Sequence, residues 1–402
     1  MSMNVQPDLE FIKDMKSAGG DTLKKCFQCA TCSVVCPLST DGNPFPRREM
    51  VFAQWGLKEK LVGDPNVMLC HQCGDCTTYC PRGAKPGDVL GAIRAYAYKH
   101  FGWPKGLANL ASSGKNLPLL IGMPAVIILV VWIISGGLHF PSAEDFGRYG
   151  YGHFFGHWDF NLLAKNVFFI DLIILPTVAL SLYAAYRGVS NMWRLMAENA
   201  GVGQPLYRPS ASQFIKEFLW PSVVEIVQHT RFKKCTTNAD RLKGHLPLLL
   251  SFLALFFVTA YSAFTQDVIG IFIPEMHGPM SMWNPVKILA NVAAIALIVG
   301  VGILWGNRAR KEAEGKATPT FYDWFLIWMI MGVGVTGLAA ELFRLIGVVS
   351  VGYIIYYLHL VSVMMLFLYM PYTKFAHMVY RTFAMAFERY RESAYVKSPL
   401  AE

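Results

Sequence analysis

Eight cysteines occur in two copies of one spacing pattern. Each copy reads C-x2-C-x2-C-x3-C and is followed by proline; the first comprises Cys26, Cys29, Cys32 and Cys36, the second Cys70, Cys73, Cys76 and Cys80. Three thiolates at two-residue intervals can bind three irons of one [4Fe–4S] cubane, while the fourth cysteine binds the other cluster. The spacing therefore predicts one cluster bound by Cys26, Cys29, Cys32 and Cys80, and a second bound by Cys70, Cys73, Cys76 and Cys36.

Zinc and disulfides are the alternative uses of these cysteines. Zinc sites take four ligands in two pairs, whereas here four cysteines form a run, twice. Disulfides belong to oxidising compartments, and no secretory signal opens this sequence. Cys235, alone in a basic loop, is predicted to be a reduced thiol.

The two motifs must be held by a folded domain of their own. The 33 residues that separate them include residues 46–61, whose apolar positions recur at three- and four-residue steps and predict a helix. A second helix is expected over residues 8–17. We therefore expect an α-helical ferredoxin domain over residues 1–100, followed by a Gly-, Pro- and Ser-containing linker at residues 101–116.

The rest of the chain is apolar enough to lie in a membrane. Hydrophobic residues make up 54% of the sequence and charged residues only 16%, which indicates a membrane protein with an appended soluble domain. Six segments reach the ~20 residues that a bilayer crossing requires: residues 117–138, 166–186, 245–265, 286–305, 321–345 and 350–370. The prediction is an all-α protein whose membrane domain spans residues 117–386, with an insertion at 187–244 and a tail at 387–402.

The distribution of positive charge predicts the orientation in the bilayer. Lys and Arg number nine in residues 187–243, four in 307–320 and five after Pro371, but only two in residues 139–165 and none in 266–285. The positive-inside rule then places both termini and the cluster domain in the cytoplasm, at the inner (cytoplasmic) membrane of the cell. The formal net charge of +9 is explained by this topology, so nucleic acid is not an expected partner.

Histidines near the membrane faces are candidate ligands for haem b, which is commonly held between helices. His245 and His377 lie at the same cytoplasmic depth and are predicted to bind an inner haem. His359 lies toward the outer face, where a partner for an outer haem would come from His139, His153 or His157. A single haem, with His359 serving a quinone instead, is an equally open alternative.

The spacing of the two histidines near the sixth span bears on this choice. His359 and His377 are separated by about five helical turns, or ~27 Å, so a straight helix would stack two haems, one per leaflet. Pro371 lies between them and would change the phase if it kinks the helix.

Charged residues within a span are functional candidates by default. Glu341 and Arg344 lie three residues apart near the outer end of the fifth span, and with His359 they are the candidates for a quinone site. The alternative is a structural ion pair between Glu341 and Arg344 on one helix.

The two cysteine motifs followed by a histidine-bearing membrane domain resemble a fusion of two heterodisulfide reductase subunits. One is the iron–sulfur subunit, and the other is the membrane cytochrome b, itself similar to the gamma subunit of respiratory nitrate reductase. His359 and His377 match the histidine pair on the last helix of that cytochrome family, and His245 matches one on an earlier helix. The fused layout is similar to the C subunits of Qmo complexes, the quinone-interacting membrane-bound oxidoreductases of sulfate reducers.

The resemblance implies a function and a set of partners. It implies haem b, menaquinone and two soluble flavin and iron–sulfur subunits resembling the flavin-containing subunit of heterodisulfide reductase, with adenylylsulfate reductase as an indirect partner. The chain would then pass electrons between menaquinol and those subunits. The alternatives are a membrane anchor and electron wire that has no quinone site of its own, and a methanophenazine-linked heterodisulfide complex. The sequence contains no adjacent Cys-Cys pair, so direct disulfide reduction is not expected.

Overall fold

The computed structural model describes residues 6–155, 165–200, 209–231, 233, 240–270, 272–273 and 279–393. His157 and Cys235 lie outside these residues. Within them the chain forms helices and turns without a β-strand, so the predicted all-α class is confirmed.

Short helices surround the two cysteine motifs in the N-terminal part. They are α1 (Leu9–Met15), α2 (Thr31–Val34), α3 (Arg47–Gln54), α4 (Lys58–Val62), α5 (Pro65–Leu69), α6 (Asp75–Thr78) and α7 (Pro86–Phe101). The helix predicted over residues 46–61 is divided into α3 and α4 at Gly56, which has a φ of 67°. A Cβ atom there would lie 2.9 Å from the backbone nitrogen of Asp8, so only glycine lets the N-terminal segment pack this closely. Phe11, Met50 and Leu90 are fully buried in the core between these helices.

The remaining helices include six that are long and apolar enough to cross a membrane, as predicted. In chain order the α-helices are α8 (Lys105–Leu110), α9 (Leu117–Ile134), α10 (Ala143–Tyr149), α11 (Lys165–Asn199), α12 (Ala211–Phe214), α13 (Trp220–Gln228), α14 (Arg241–Ala263), α15 (Pro285–Ala313), α16 (Phe321–Leu345), α17 (Val349–Tyr369) and α18 (His377–Arg391). The spans are α9, α11, α14, α15, α16 and α17. The expected linker at 101–116 is partly helical, because α8 packs Ala108 into the core.

Helix α11 continues well beyond the end that hydropathy predicts for the second span. The predicted span stops at residue 186, but the helix runs on to Asn199. Met192 and Met196 in this extension are fully buried against Met68 of α5 and Phe101 of α7. The extension therefore joins the membrane helices to the cysteine-containing part of the chain.

Two features shape the region around the third span. Helices α14 and α15 cross closely at Gly244 and Gly300, where a Cβ on either residue would lie 2.9 Å from the other's carbonyl oxygen. In the insertion, α12 and α13 belong to one helical segment that continues through Pro221. A π-helical turn at Ile215–Leu219 precedes the proline, and the segment packs on α18 through Phe218.

Of the two alternatives for the segment that carries His359 and His377, the structure shows the one in which the helix is broken near Pro371. Helix α17 ends at Tyr369, two 3-10 turns follow at Met370–Tyr372 and Lys374–Ala376, and α18 begins at His377. Pro371 lies in the first of these turns, where it cannot donate a backbone hydrogen bond. The two histidines therefore lie on separate helices, and the stacking argument from helical spacing does not hold.

Candidate metal and redox site

The two cysteine motifs adopt the same backbone path. In each, the second and fourth residues after the first cysteine have positive φ: Gln28 (61°) and Ala30 (68°) in the first, Gln72 (52°) and Gly74 (90°) in the second. A short helix, α2 or α6, then begins at the next residue. This path turns backbone N–H groups toward the cysteine sulfurs, as in the 3.3 Å hydrogen bond from Gln72 N to the Sγ atom of Cys70. The sequence repeat is therefore a structural repeat.

Cys80 of the second motif lies with the first three cysteines of the first motif. Burial raises the pKa of Cys32 to about 11, and the thiolates of Cys26, Cys29 and Cys80 raise it further by repulsion. Burial also raises the pKa of Cys26, again with repulsion from Cys80 and Cys29. Repulsion between thiolates shifts a pKa only when the sulfurs are near one another. Cys80 therefore lies close to Cys26 and Cys32.

Cys36 of the first motif correspondingly lies near cysteines of the second motif. Burial raises its pKa to about 12, with added repulsion from Cys70 and Cys73. Burial likewise raises the pKa of Cys76 well above its usual value, and Cys70, Cys73 and Cys36 add to the effect. Cys32 of the first motif also acts on Cys76, so the two groups of cysteines lie next to each other, and the division into two ligand sets stays a prediction.

The arrangement is unsuited to a single metal ion. In the described ranges, no three His, Cys, Asp or Glu side chains converge on one point that would hold one ion. A cubane needs no such point, because each of its four irons takes a separate thiolate. Each of the two predicted sets offers the four separate thiolates that a cubane takes.

The loop of the second motif is bound by cations from the membrane helices. Arg241, at the start of α14, donates to the carbonyl oxygens of His71 (2.9 Å) and Gln72 (3.2 Å). Arg381 of α18 donates to Nε2 of the His71 ring at 2.8 Å. Lys374 donates to the side-chain oxygen of Gln72 at 3.3 Å. These contacts fix the second loop against the cytoplasmic ends predicted for the third and sixth spans.

His245 and His377 lie side by side just beyond this loop. Their ring centroids are 6.4 Å apart and their planes are inclined by 69°. A metal bound by both rings through bonds of about 2 Å would separate the centroids by about 6 Å, so one metal fits between them. Arg241 lies one helical turn before His245, and Arg381 lies one turn after His377.

Hydrogen bonds set which ring nitrogen of each histidine would bind a metal. Nδ1 of His377 donates to the carbonyl oxygen of Lys374 at 2.6 Å, and burial lowers the pKa of this ring to about 3, which keeps it neutral. Nδ1 of His229 contacts the carbonyl oxygen of Val227 at 3.1 Å, and its Nε2 lies 2.8 Å from Nδ1 of His245. Since a carbonyl can only accept, His229 accepts at Nε2 and His245 donates from Nδ1. In both His245 and His377, Nε2 is then the nitrogen that could bind a metal.

A cavity of about 540 Å³ contains both histidines. Its membrane side is lined by apolar residues such as Phe252 and Ile330, and its other side by Arg94, Arg308 and the Cys70 loop. The cavity therefore offers apolar walls for a flat ring, cations for carboxylates, and direct proximity to the second cysteine motif.

An ion-pair network lines the side of the cavity that faces the second cysteine loop. The buried carboxylate of Asp323, at the start of α16, pairs with Lys374 and, at 2.8 Å, with Arg308 of α15. The hydroxyl of Thr320 donates to the same carboxylate at 2.7 Å. Because Lys374 also reaches Gln72, this network links the helices α15 and α16 and the turn after α17 to the second cysteine loop.

His359 has a separate environment on α17. Its Nδ1 lies 3.1 Å from the hydroxyl of Thr336, which itself donates to the carbonyl oxygen of Gly332. A Cβ atom on Gly337 would lie 3.1 Å from the His359 ring, so that glycine is what lets the ring lie against α16. Of the partners predicted for an outer haem, His153 packs edge-on against Tyr149, and His139 is exposed.

Glu341 does not form the predicted pair with Arg344. Its carboxylate pairs with Lys287 of α15 at 2.6 Å and accepts from the amide of Asn291 at 3.2 Å. The side chain of Arg344 instead packs against Gly150. The ion pair is therefore interhelical, which follows from the packing of α15 against α16 and not from the spacing on α16.

The sequence reasoning missed several residues of this site: His71, His229, Arg241, Asp323, Lys374 and Arg381. His71 and Arg381 had a usable signal, since each stands next to or one turn from a predicted ligand. His229 had none, because its left-handed backbone conformation (φ 54°) is what places its ring against His245.

Comparison with known proteins supports the metal chemistry of the N-terminal part. Residues 22–84 match the family described as 4Fe-4S dicluster domain. These residues form a 4Fe-4S dicluster domain. No solved structure matches the chain.

Two curated relatives share this part of the chain. The C subunit of H(2):CoB-CoM heterodisulfide,ferredoxin reductase from Methanothermobacter marburgensis is 41% identical over 93 residues, which are 23% of this chain and 50% of that protein. Its counterpart from Methanothermobacter thermautotrophicus gives the same figures. The chain spans about half the length of these relatives. The homology concerns the iron–sulfur part of the chain and supports an iron–sulfur electron-transfer role for it.

A third relative extends over more of the chain. Citrate utilization protein B from Escherichia coli is 26% identical over 305 residues, which are 73% of this chain and 72% of that protein. A match of this length must include membrane helices, because only about 100 residues of the chain precede the first of them.

Proposed function

We propose that this protein is a membrane electron-transfer subunit that passes electrons between menaquinol and soluble flavin and iron–sulfur subunits, through haem b and two [4Fe–4S] clusters. One observation carries the proposal. The loop of the second cysteine motif is held by Arg241 and Arg381, and each arginine lies one helical turn from a histidine of the His245–His377 pair. The loop and the pair therefore form one unit, as a route for electrons requires.

The cluster ligands in this proposal follow the two groups of sulfurs. Cys26, Cys29, Cys32 and Cys80 would hold the first cluster, and Cys70, Cys73, Cys76 and Cys36 the second. The first group includes the exposed Cys29, whereas the second lies under the membrane domain. Electrons would thus pass between solution and membrane through the first cluster and then the second.

Haem b fits the cavity on the chemistry of its lining. His245 and His377 would bind its iron through Nε2, and Arg308 and Lys374 would bind its propionates. Haem supplies a one-electron carrier within the low-dielectric span. The chain's own residues orient it: His229 holds the His245 ring, and the Lys374 carbonyl holds the His377 ring.

The quinone side of the proposal rests on His359. Its Nδ1 is engaged by Thr336, so Nε2 would bind either a quinone head group or a second haem. The pairing of Glu341 with Lys287 weakens the case for Glu341 as a quinone ligand. That pairing favours the second candidate function, an anchor and electron wire of a heterodisulfide reductase-type complex without its own quinone site.

The orientation and the physiological partners are part of the proposal. The positive-inside distribution supports a cytoplasmic cluster domain, and the pairing of Lys287 with Glu341 neutralises one charge on the opposite side. The fused layout supports a Qmo-type complex that delivers electrons to adenylylsulfate reductase. Citrate utilization protein B is similar over 73% of the chain, so similarity over most of the length does not specify sulfate respiration.

Haem content and quinol oxidation in three histidine variants test the proposal. His245→Ala and His377→Ala are expected to lose one haem per chain by pyridine haemochrome assay and to lose reduction of the clusters by menadiol. His100→Ala, on α7 away from the cavity, should keep both. Retention of haem and menadiol-driven reduction in both cavity variants would refute the haem assignment. If menadiol does not reduce the clusters of the wild-type protein, the result favours the membrane anchor without a quinone site.

Mass spectrometry of the proteins that co-purify with the chain tests the complex. Two flavin and iron–sulfur subunits are expected. Co-purification of a heterodisulfide-reducing subunit, which carries adjacent Cys-Cys pairs, would contradict a Qmo-type assembly.

A further inference from the structure

The two cluster sites differ in what covers them. The second loop is bound by Arg241, Lys374 and Arg381 of the membrane domain. The first motif is open to solvent, and its Cys29 is exposed. If the proposed function is correct, electrons enter or leave the chain at the first cluster. The surface around the first motif is then the place where a soluble redox partner would bind.

Exposed apolar side chains surround the first cluster site. Phe27, Val34 and Tyr79 expose 64%, 84% and 55% of their surface, and each lies within two residues of a motif cysteine. In the described residues up to 100, only Leu9 and Trp55 are comparable large apolar side chains with exposed surface. Apolar groups gathered at one place on a soluble surface mark a site of interaction.

Cations border this apolar surface. The guanidinium of Arg82, just after the second motif, lies 4.3 Å from the ring centroid of Phe27 in the first, so the two motifs contribute to one continuous patch. Lys24, Lys25 and Arg47 are also exposed close by. No Asp or Glu occurs in residues 24–40 or 77–87. The patch is thus apolar at its centre and positively charged at its edge.

We propose that the patch of Phe27, Val34, Tyr79 and Arg82 docks a soluble electron-transfer protein whose own redox centre lies under an apolar surface with an acidic rim. The inference rests on the proposed function and adds the place and the chemistry of the contact. Opposite charges at the rim steer the two proteins together, and the apolar centre excludes water between the redox centres.

Reduction kinetics of the full-length protein in lipid nanodiscs test the docking surface. The docking probe is reduced flavodoxin, a small acidic electron carrier, and reduced methyl viologen serves as a probe that needs no docking. Val34→Asp and Arg82→Glu are expected to lower the rate constant with flavodoxin by about tenfold at low salt. The matched control, Leu9→Asp, changes an equally exposed apolar residue outside the patch and should stay near the wild-type rate. All three should keep the wild-type rate with methyl viologen.

Equal flavodoxin rates in the wild type and both patch variants would overturn the proposal, as would an equal loss in Leu9→Asp. A lipid-covered patch would also overturn it: a nitroxide label at Val34→Cys, in a Cys235→Ser background, would then show lipid contact by EPR. Haem reduction after methyl viologen reports the proposed function separately. Its absence would refute the route to haem without altering the flavodoxin comparison.

Discussion

Replacement of Arg381 by glutamine tests the contact between the second cysteine loop and the membrane domain. Arg381→Gln removes the 2.8 Å hydrogen bond from the guanidinium to Nε2 of His71. A hydrogen bond that involves a charged group contributes about 1.5–3 kcal/mol. Taking about 2 kcal/mol, and ~1.4 kcal/mol per factor of ten, the open fraction of the loop should rise about 30-fold.

Hydrogen–deuterium exchange measured by mass spectrometry on a peptide spanning residues 69–76 would report this opening. Exchange limited by local opening should accelerate in proportion to the open fraction. Arg389→Gln is the matched control, because Arg389 lies on the same helix but pairs with Glu225 at 2.6 Å and does not contact the loop. Arg241→Gln removes two further bonds to the loop, so the double variant with Arg381→Gln should open more than either single variant.

Unchanged exchange in Arg381→Gln would refute the reasoning, since it would mean that the loop is held without this arginine. Equal acceleration in Arg389→Gln would also refute it, because the effect would then come from general destabilisation of α18. Iron content and haem absorbance, measured on the same samples, separate loop opening from cofactor loss.

Substitutions at three other places have defined outcomes. Cys80→Ser should change the EPR signal of the first-motif cluster and Cys36→Ser that of the second, and the reverse assignment would exclude exchange of the fourth ligands between motifs. Burial raises the pKa of Glu49 to about 8, and repulsion from Asp64 adds to this effect. Between about pH 4.5 and 8 the folded protein therefore holds a proton that the unfolded chain has lost. The free energy of unfolding then falls by ~1.4 kcal/mol per pH unit over this range. Glu49→Gln should flatten this dependence of the melting temperature, followed by cluster absorbance. Lys287→Met should destabilise the membrane domain by about 3–5 kcal/mol by leaving the Glu341 charge unpaired, and adding Glu341→Gln should restore most of the lost thermal stability.

Features that depend on local sequence could be predicted. The four-cysteine sets follow from ligand spacing, because three thiolates at two-residue steps leave the fourth for the other cluster. The six spans follow from hydropathy. The C-terminal end of α11 could not be predicted from hydropathy. Met192 and Met196 extend that helix by packing against α5 and α7, and a hydropathy window does not include such contacts.

Features that depend on distant contacts could not be predicted. Arg241 and Arg381 are far apart in sequence and meet only because His71 lies between the helix ends. Lys287 pairs with Glu341 across two helices, so spacing on one helix pointed to the wrong partner. His377 was expected to continue the helix of His359, but the turns after Tyr369 rotate and displace it.

The break between α17 and α18 affects how the protein can adapt to bilayers of different thickness. His377 and Arg381 share α18, which packs against α5 next to the second cysteine loop, and residues 370–376 separate this helix from the sixth span. A span that tilts to match thinner or thicker lipid can pivot at those turns. The distance between the second cysteine loop and the ring of His377 should then change little with acyl-chain length.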